Sequence, residues 1–147
     1  MNYWVAIRPD DLSAVFVGKE LTALTRPEAS AAVQDAIDDV TAIVRDAVAQ
    51  NLANILPDGA LIPRSLRPAA LDMIAWRLLK RYALAITDER KQAAAEAAAR
   101  IAEVRTQKQL VLDATGKLPV QPAGTPAIIA PDPAYGNDGP GLYPLPK

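Results

Sequence analysis

Residues 27–54 carry the pattern that most constrains what this chain can fold into. Val33, Ala36, Ile37, Val40, Val44, Ala47, Val48 and Leu52 recur at steps of three and four, which places them on one face of a helix. Gln34, Asp35, Asp38, Asp39, Thr41, Arg45, Asp46 and Gln50 fall mostly on the other face. Thr25 suits the N-cap, and Pro27 suits the first turn, where its missing N–H costs nothing. Glu28 complements the positive end of the helix dipole. Pro57-Asp58-Gly59 closes the segment with turn chemistry. A helix of about 27 residues is about 40 Å long at 1.5 Å per residue. Its apolar stripe is buried only if other helices lie along it.

Two more segments meet that need. In residues 68–86, Leu71, Ile74, Ala75, Leu78, Tyr82, Ala85 and Ile86 form a stripe that Met73, Trp76 and Leu79 widen. In residues 88–109, Ala94, Ala97, Ala98, Ile101 and Val104 form a narrow seam of mostly small residues. Thr87 caps this helix, Asp88 and Glu89 sit in its first turn, and Glu96 and Arg100 are spaced as an i,i+4 ion pair. Upstream, Pro9-Asp10-Asp11-Leu12 opens a short helix to about Val17, and residues 19–25 form another, with Leu21 and Leu24 inward. Tyr3-Trp4-Val5-Ala6-Ile7 reads as a strand or an apolar anchor. Residues 56–67 read as a loop, with Ile55, Leu56, Leu61 and Ile62 tucked against the helices. Only seven residues of the chain are aromatic and many are alanine, so the core should be helical and closely packed. The expected fold is all-α: a small bundle of two long helices and one alanine-rich helix, with short N-terminal helices, over residues 1–112.

Composition changes at residue 113. Residues 113–147 hold eight of the 13 prolines and five of the seven glycines, which excludes a helix of useful length. This reads as an extended C-terminal tail, able to reach on the order of 100 Å at ~3.1 Å per residue. Ile128, Ile129, Tyr135, Leu142 and Tyr143 are spaced along it like contact points for a partner.

The chain is poorly equipped for catalysis. It has neither cysteine nor histidine, which removes disulfides, thiolate nucleophiles, Cys/His zinc sites and the usual general base. Asp35, Asp38 and Asp39 are close enough on one helix to bind a hard cation, but such clusters are ordinarily the solvated face of a helix. Ala114-Thr115-Gly116-Lys117 lacks the upstream glycine and the Ser/Thr after lysine of a phosphate-binding loop. The expectation is a protein that is not an enzyme and takes no cofactor or metal. Arg8 and Asp10 interrupt any signal-peptide pattern, and no stretch of 18 apolar residues exists, so no membrane partner is expected.

Charge is distributed unevenly. Residues 1–63 carry −5, residues 64–112 carry +5, and the rest carry −1. One reading is that the two halves of one fold neutralise each other. The other is that the acidic side of one copy (Asp35, Asp38, Asp39, Asp46) meets the basic side of the next, a heterologous contact that closes into a ring. Arg64, Arg67, Arg77, Lys80 and Arg81 form the expected basic patch near one end of the second strong helix. With Trp76 and Tyr82 nearby, that patch suits a protein partner or a phosphate backbone.

Several landmarks resemble the phage head–tail connector or adaptor proteins of Mu-like and other long-tailed phages. They are Pro9-x-Asp11-Leu12, Phe16, Glu20-Leu21, Val33, Ala36-Ile37-Asp38-Asp39-Val40 and Ile43. Ile62-Pro63-x-x-Leu66, Ala70, Asp72-Met73-Ile74-Ala75-Trp76-Arg77-Leu78 and Thr87-x-Glu89 continue the likeness. The resemblance implies a structural virion protein at the neck, assembled in the host cytoplasm. It implies a homo-oligomeric ring, usually of twelve copies, between the portal protein and a stopper or tail-completion protein, with packaged double-stranded DNA passing through the lumen. The alternative is a small helical phage DNA-binding or packaging factor of the terminase small-subunit type, for which the basic patch is the support.

Overall fold

The structure is a computed structural model that describes residues 2–119. Three helices make the bundle: α2 (Ser30–Ala49), α3 (Arg67–Arg81) and α4 (Asp88–Arg105). Each packs against the other two. A short helix α1 (Gly18–Leu24) and a 3₁₀ turn over Pro9–Ala14 precede them. Strand β1 (Trp4–Ala6) pairs antiparallel with β2 (Leu61–Pro63), with Val5 opposite Ile62. The mostly-α expectation holds, and the N-terminal aromatic stretch is a strand. Its partner lies in the segment 56–67 read as a loop: a strand of three residues ending in proline is too short to show a period of two.

The core follows the stripe of α2. Val33, Ala36, Ile37, Val40, Val44, Ala47 and Val48 are all buried. Ile62, Leu66, Ile74, Leu78 and Leu79 meet them, with Leu12 and Phe16 from the N-terminal region. On α4, Ala97, Ile101 and Val104 face inward, whereas Ala98, which the seam was expected to include, is exposed.

Helix boundaries differ from expectation, each for a local reason. The long helix is not continuous over 27–54. Pro27–Ala29 forms a 3₁₀ turn, and α2 itself has 20 residues. That is about 30 Å of helix. Thr25 caps the C-terminus of α1 instead of the N-terminus of α2. At the far end the asparagines take over the backbone. Asn51 Oδ1 accepts from Ala53 N, and Asn54 Nδ2 donates to Val48 O. Leu52, assigned to the stripe, is therefore 97% exposed.

Helices α3 and α4 both stop earlier than their periodicity suggests. Ala83 (φ 49°) and Gln107 (φ 60°) adopt the left-handed conformation. Leu84 N then donates to Leu79 O, and Lys108 N to Glu103 O, the bonds of a Schellman end. This motif ordinarily uses glycine, so neither end is visible as a sequence signal. Thr87 does cap α4, its Oγ1 accepting from Arg90 N at 3.3 Å. Glu96 accepts from Gln92 Nε2, not from Arg100.

Two outcomes follow for stability. Ile74 and Ile86 were placed on one stripe, but Ile74 is 0% and Ile86 50% exposed. In chemical denaturation Ile74→Ala should cost about 2–5 kcal/mol, and Ile86→Ala should stay within about 0.5 kcal/mol. Ala83→Gly should raise stability by about 1 kcal/mol, by relieving the left-handed strain at the end of α3.

Candidate interaction surface

The acidic and basic residues singled out in the sequence meet within one chain. Arg77 Nη1 reaches Asp39 Oδ2, Arg81 Nη1 lies 3.9 Å from Asp35 Oδ2, and Arg67 Nη2 lies 2.8 Å from Asp11 Oδ1. The α2–α3 pairs are exposed, with side-chain accessibility of 39% for Arg77 and 63% for Asp39. Pairs of this kind are worth about 0–1 kcal/mol. Asp38 accepts from Gln34 Nε2 at 2.8 Å, and Asp46 is exposed on α2. No group of three potential metal ligands occurs among the described residues.

The basic residues are not a single patch at one end. Arg67 is the first and Arg81 the last residue of α3, a 15-residue helix. They are therefore separated by about 20 Å along its axis. Arg64 and Arg67 sit at one end, and Arg77, Lys80 and Arg81 at the other. Lys80 Nζ lies 6.0 Å from the Trp76 ring centroid, a cation–π distance. Ile128, Ile129, Tyr135, Leu142 and Tyr143 lie outside the described residues.

Among the described residues, two of the larger grooves have a mostly apolar lining. Between α3 and α4, Met73, Trp76, Ala94, Ala95 and Ala98 line a groove of about 340 Å³, bordered by Arg77 and Lys91. The small side chains of α4 leave Trp76 only partly buried, which is the composition of an interface anchor. On the other side, Tyr3, Pro63, Leu110, Leu112 and Leu118 line a second groove of about 350 Å³.

The second groove depends on a turn assigned above to the start of the tail. Asp113 is buried, and its Oδ1 accepts from Thr115 N (2.8 Å), Thr115 Oγ1 (2.7 Å) and Lys117 N (3.0 Å). The hydrogen bond from the Thr115 side chain, with the backbone N–H groups behind it, holds this carboxyl below its usual range. Ala114 N donates to Ile55 O, and Trp4 Nε1 donates to Leu112 O, so the packed chain continues to Pro119. Gly116 (φ 78°) lies directly under Tyr3, where an added Cβ would stand 2.2 Å from the ring. Both its conformation and its neighbour require glycine.

The ion pair missed in the sequence is the one best enclosed. Arg90 donates to both oxygens of Glu20 at 2.9 and 2.6 Å, and to Ala85 O at 3.0 Å. Its guanidinium also lies over Phe16, 5.7 Å from the ring centroid. The side-chain hydrogen bond to Arg90 lowers the Glu20 pKa. A separation of 70 residues hides this contact from any local pattern.

Asp72, on the α3 side facing α4, is shifted the opposite way. Desolvation raises its pKa first, and the charge of Glu96 adds to it. A folded-state pKa raised in this way gives stability that is present at low pH and lost as pH rises through it. Asp72→Asn should therefore raise the melting temperature at neutral pH. The gain should vanish below the ordinary carboxylate range, as followed by thermal denaturation across pH. Comparison with known proteins returns no matching family model, curated protein or solved structure.

Proposed function

We propose that this protein is a structural assembly component, a head–tail adaptor. It joins with its own copies in a ring and bridges a portal protein to a stopper or tail-completion protein. The observation that carries the reading is the apolar surface left open on a small, otherwise well-packed bundle. The Met73–Trp76 groove and the Tyr3–Leu118 groove share no lining residue, and each has the aromatic or aliphatic lining of a contact surface.

Positions in the resemblance support the same reading. Pro9-x-Asp11-Leu12 opens the 3₁₀ turn, Ile62-Pro63-x-x-Leu66 leads from β2 into α3, and Thr87-x-Glu89 caps α4. These three landmarks fall at element boundaries, and most of the others lie along α2 and α3. The charge pattern favours assembly over DNA packaging. Arg67, Arg77 and Arg81 spend their charge on Asp11, Asp39 and Asp35, which weakens any phosphate-binding stripe. Of the charges expected to contact other copies or partners, Asp38, Asp46, Arg64 and Lys80 form no ion pair among the described residues and stay available for that role.

Electron microscopy and native mass spectrometry of the purified full chain, alone and with a portal protein, test the reading. The expected outcome is a ring, most simply of twelve copies, or capture by the portal. A solitary monomer that ignores the portal, yet binds duplex DNA with an affinity falling steeply with salt, would overturn it.

A further inference from the structure

The two-stranded sheet has two outer edges, and they are chemically different. Arg64 N donates to Tyr3 O at 2.8 Å, and Val5 stands opposite Ile62. Hydrogen-bonded pairs alternate in an antiparallel ladder, so the backbone groups of Trp4, Ala6, Leu61 and Pro63 point away from the partner strand. On the β2 edge, Leu61 O accepts from Arg45 Nη1 at 2.8 Å, and Pro63 has no N–H to offer. On the β1 edge, no described residue pairs with the N–H or C=O of Trp4 or Ala6. Ala6 is exposed, and neither a proline nor a charge blunts β1. One edge is closed and the other is left as a template for a third strand.

The chain carries a segment of matching length. Ala127-Ile128-Ile129-Ala130 lies between Pro126 and Pro131, beyond the described residues. It is the longest run after Pro119 free of both proline and glycine, and its centre is β-branched. Four residues suit an edge of three. Alternation would send Ile128 and Ile129 to opposite faces of the sheet. Residues 120–126 separate this run from Pro119, a link of about 22 Å at ~3.1 Å per residue. Leu118 and Tyr3 line the same groove, so the described residues end beside β1. A link of that length also reaches the same edge of a touching copy, the route that the assembly reading requires.

We propose that residues 127–130 of one copy add as a third strand to the free edge of β1 in a second copy. This deepens the assembly reading and rests on it: strand exchange would tie neighbouring copies together. The absence of cysteine from the chain makes a clean test possible. One full-length population carries Ala6→Cys. Others carry Ala127→Cys, Ile128→Cys, Ile129→Cys or Ala130→Cys, with Asp138→Cys as the control. After mixing and oxidation, alternate positions of the run should give disulfide-linked heterodimers well above the control. Two results would overturn the proposal. One is no position linking above control. The other is linkage formed only within a single chain that carries both cysteines. Imaging the same samples separates the two ideas. Rings without linkage sink the strand exchange and leave the adaptor reading standing, whereas linkage without rings sinks the ring.

Discussion

The interlocking of α2 with α3 is the contact on which the remainder of the molecule rests. Val40, Val44 and Val48 on one helix and Ile74 and Leu78 on the other are wholly buried. Burial of such side chains is worth roughly 1.5–3 kcal/mol each, far more than any ion pair on this surface. With that seam set, Arg77 and Arg81 are carried to Asp39 and Asp35 without a force of their own. The charge asymmetry between the halves of the chain is thus partly consumed in the fold. What remains unpaired is what stays available to other molecules.

Around this seam, small and polar side chains decide where surface stays open. Alanines on α4 let it approach α3 closely but leave a groove over Met73 and Trp76. Arg90 secures the same helix from its first turn by clamping Glu20 and covering Phe16. The helix with the weakest apolar seam is therefore held by its best-enclosed salt bridge. At the opposite side, the Asp113 turn and Gly116 bring the chain back over Tyr3 and Trp4. Among the described residues, that clasp leaves the β1 backbone edge unpaired. The grooves and the unpaired β1 edge are the features on which the proposed contact with other chains rests.

Much of this was legible in the sequence because it is local. Periodicity located all three bundle helices, and Thr87 marked the start of α4. Errors arose where a helix ended without its customary residue. Ala83 and Gln107 take the conformation normally given to glycine, so Tyr82, Ala85 and Ile86 were counted into a stripe they do not join. Leu52 lies outside the stripe for a related reason: α2 ends at Ala49, and the Asn51 and Asn54 side chains bond the backbone on either side of it.

By itself, the order of residues determined the helical class and the inward faces of α2 and α3. These follow from spacing and backbone chemistry within a few turns of chain. Tertiary structure alone decided which charges pair, that Trp4 and Ile62 belong to one sheet, and which of its edges is bare. Such facts join residues tens of positions apart, and no local pattern encodes a distance that only packing establishes.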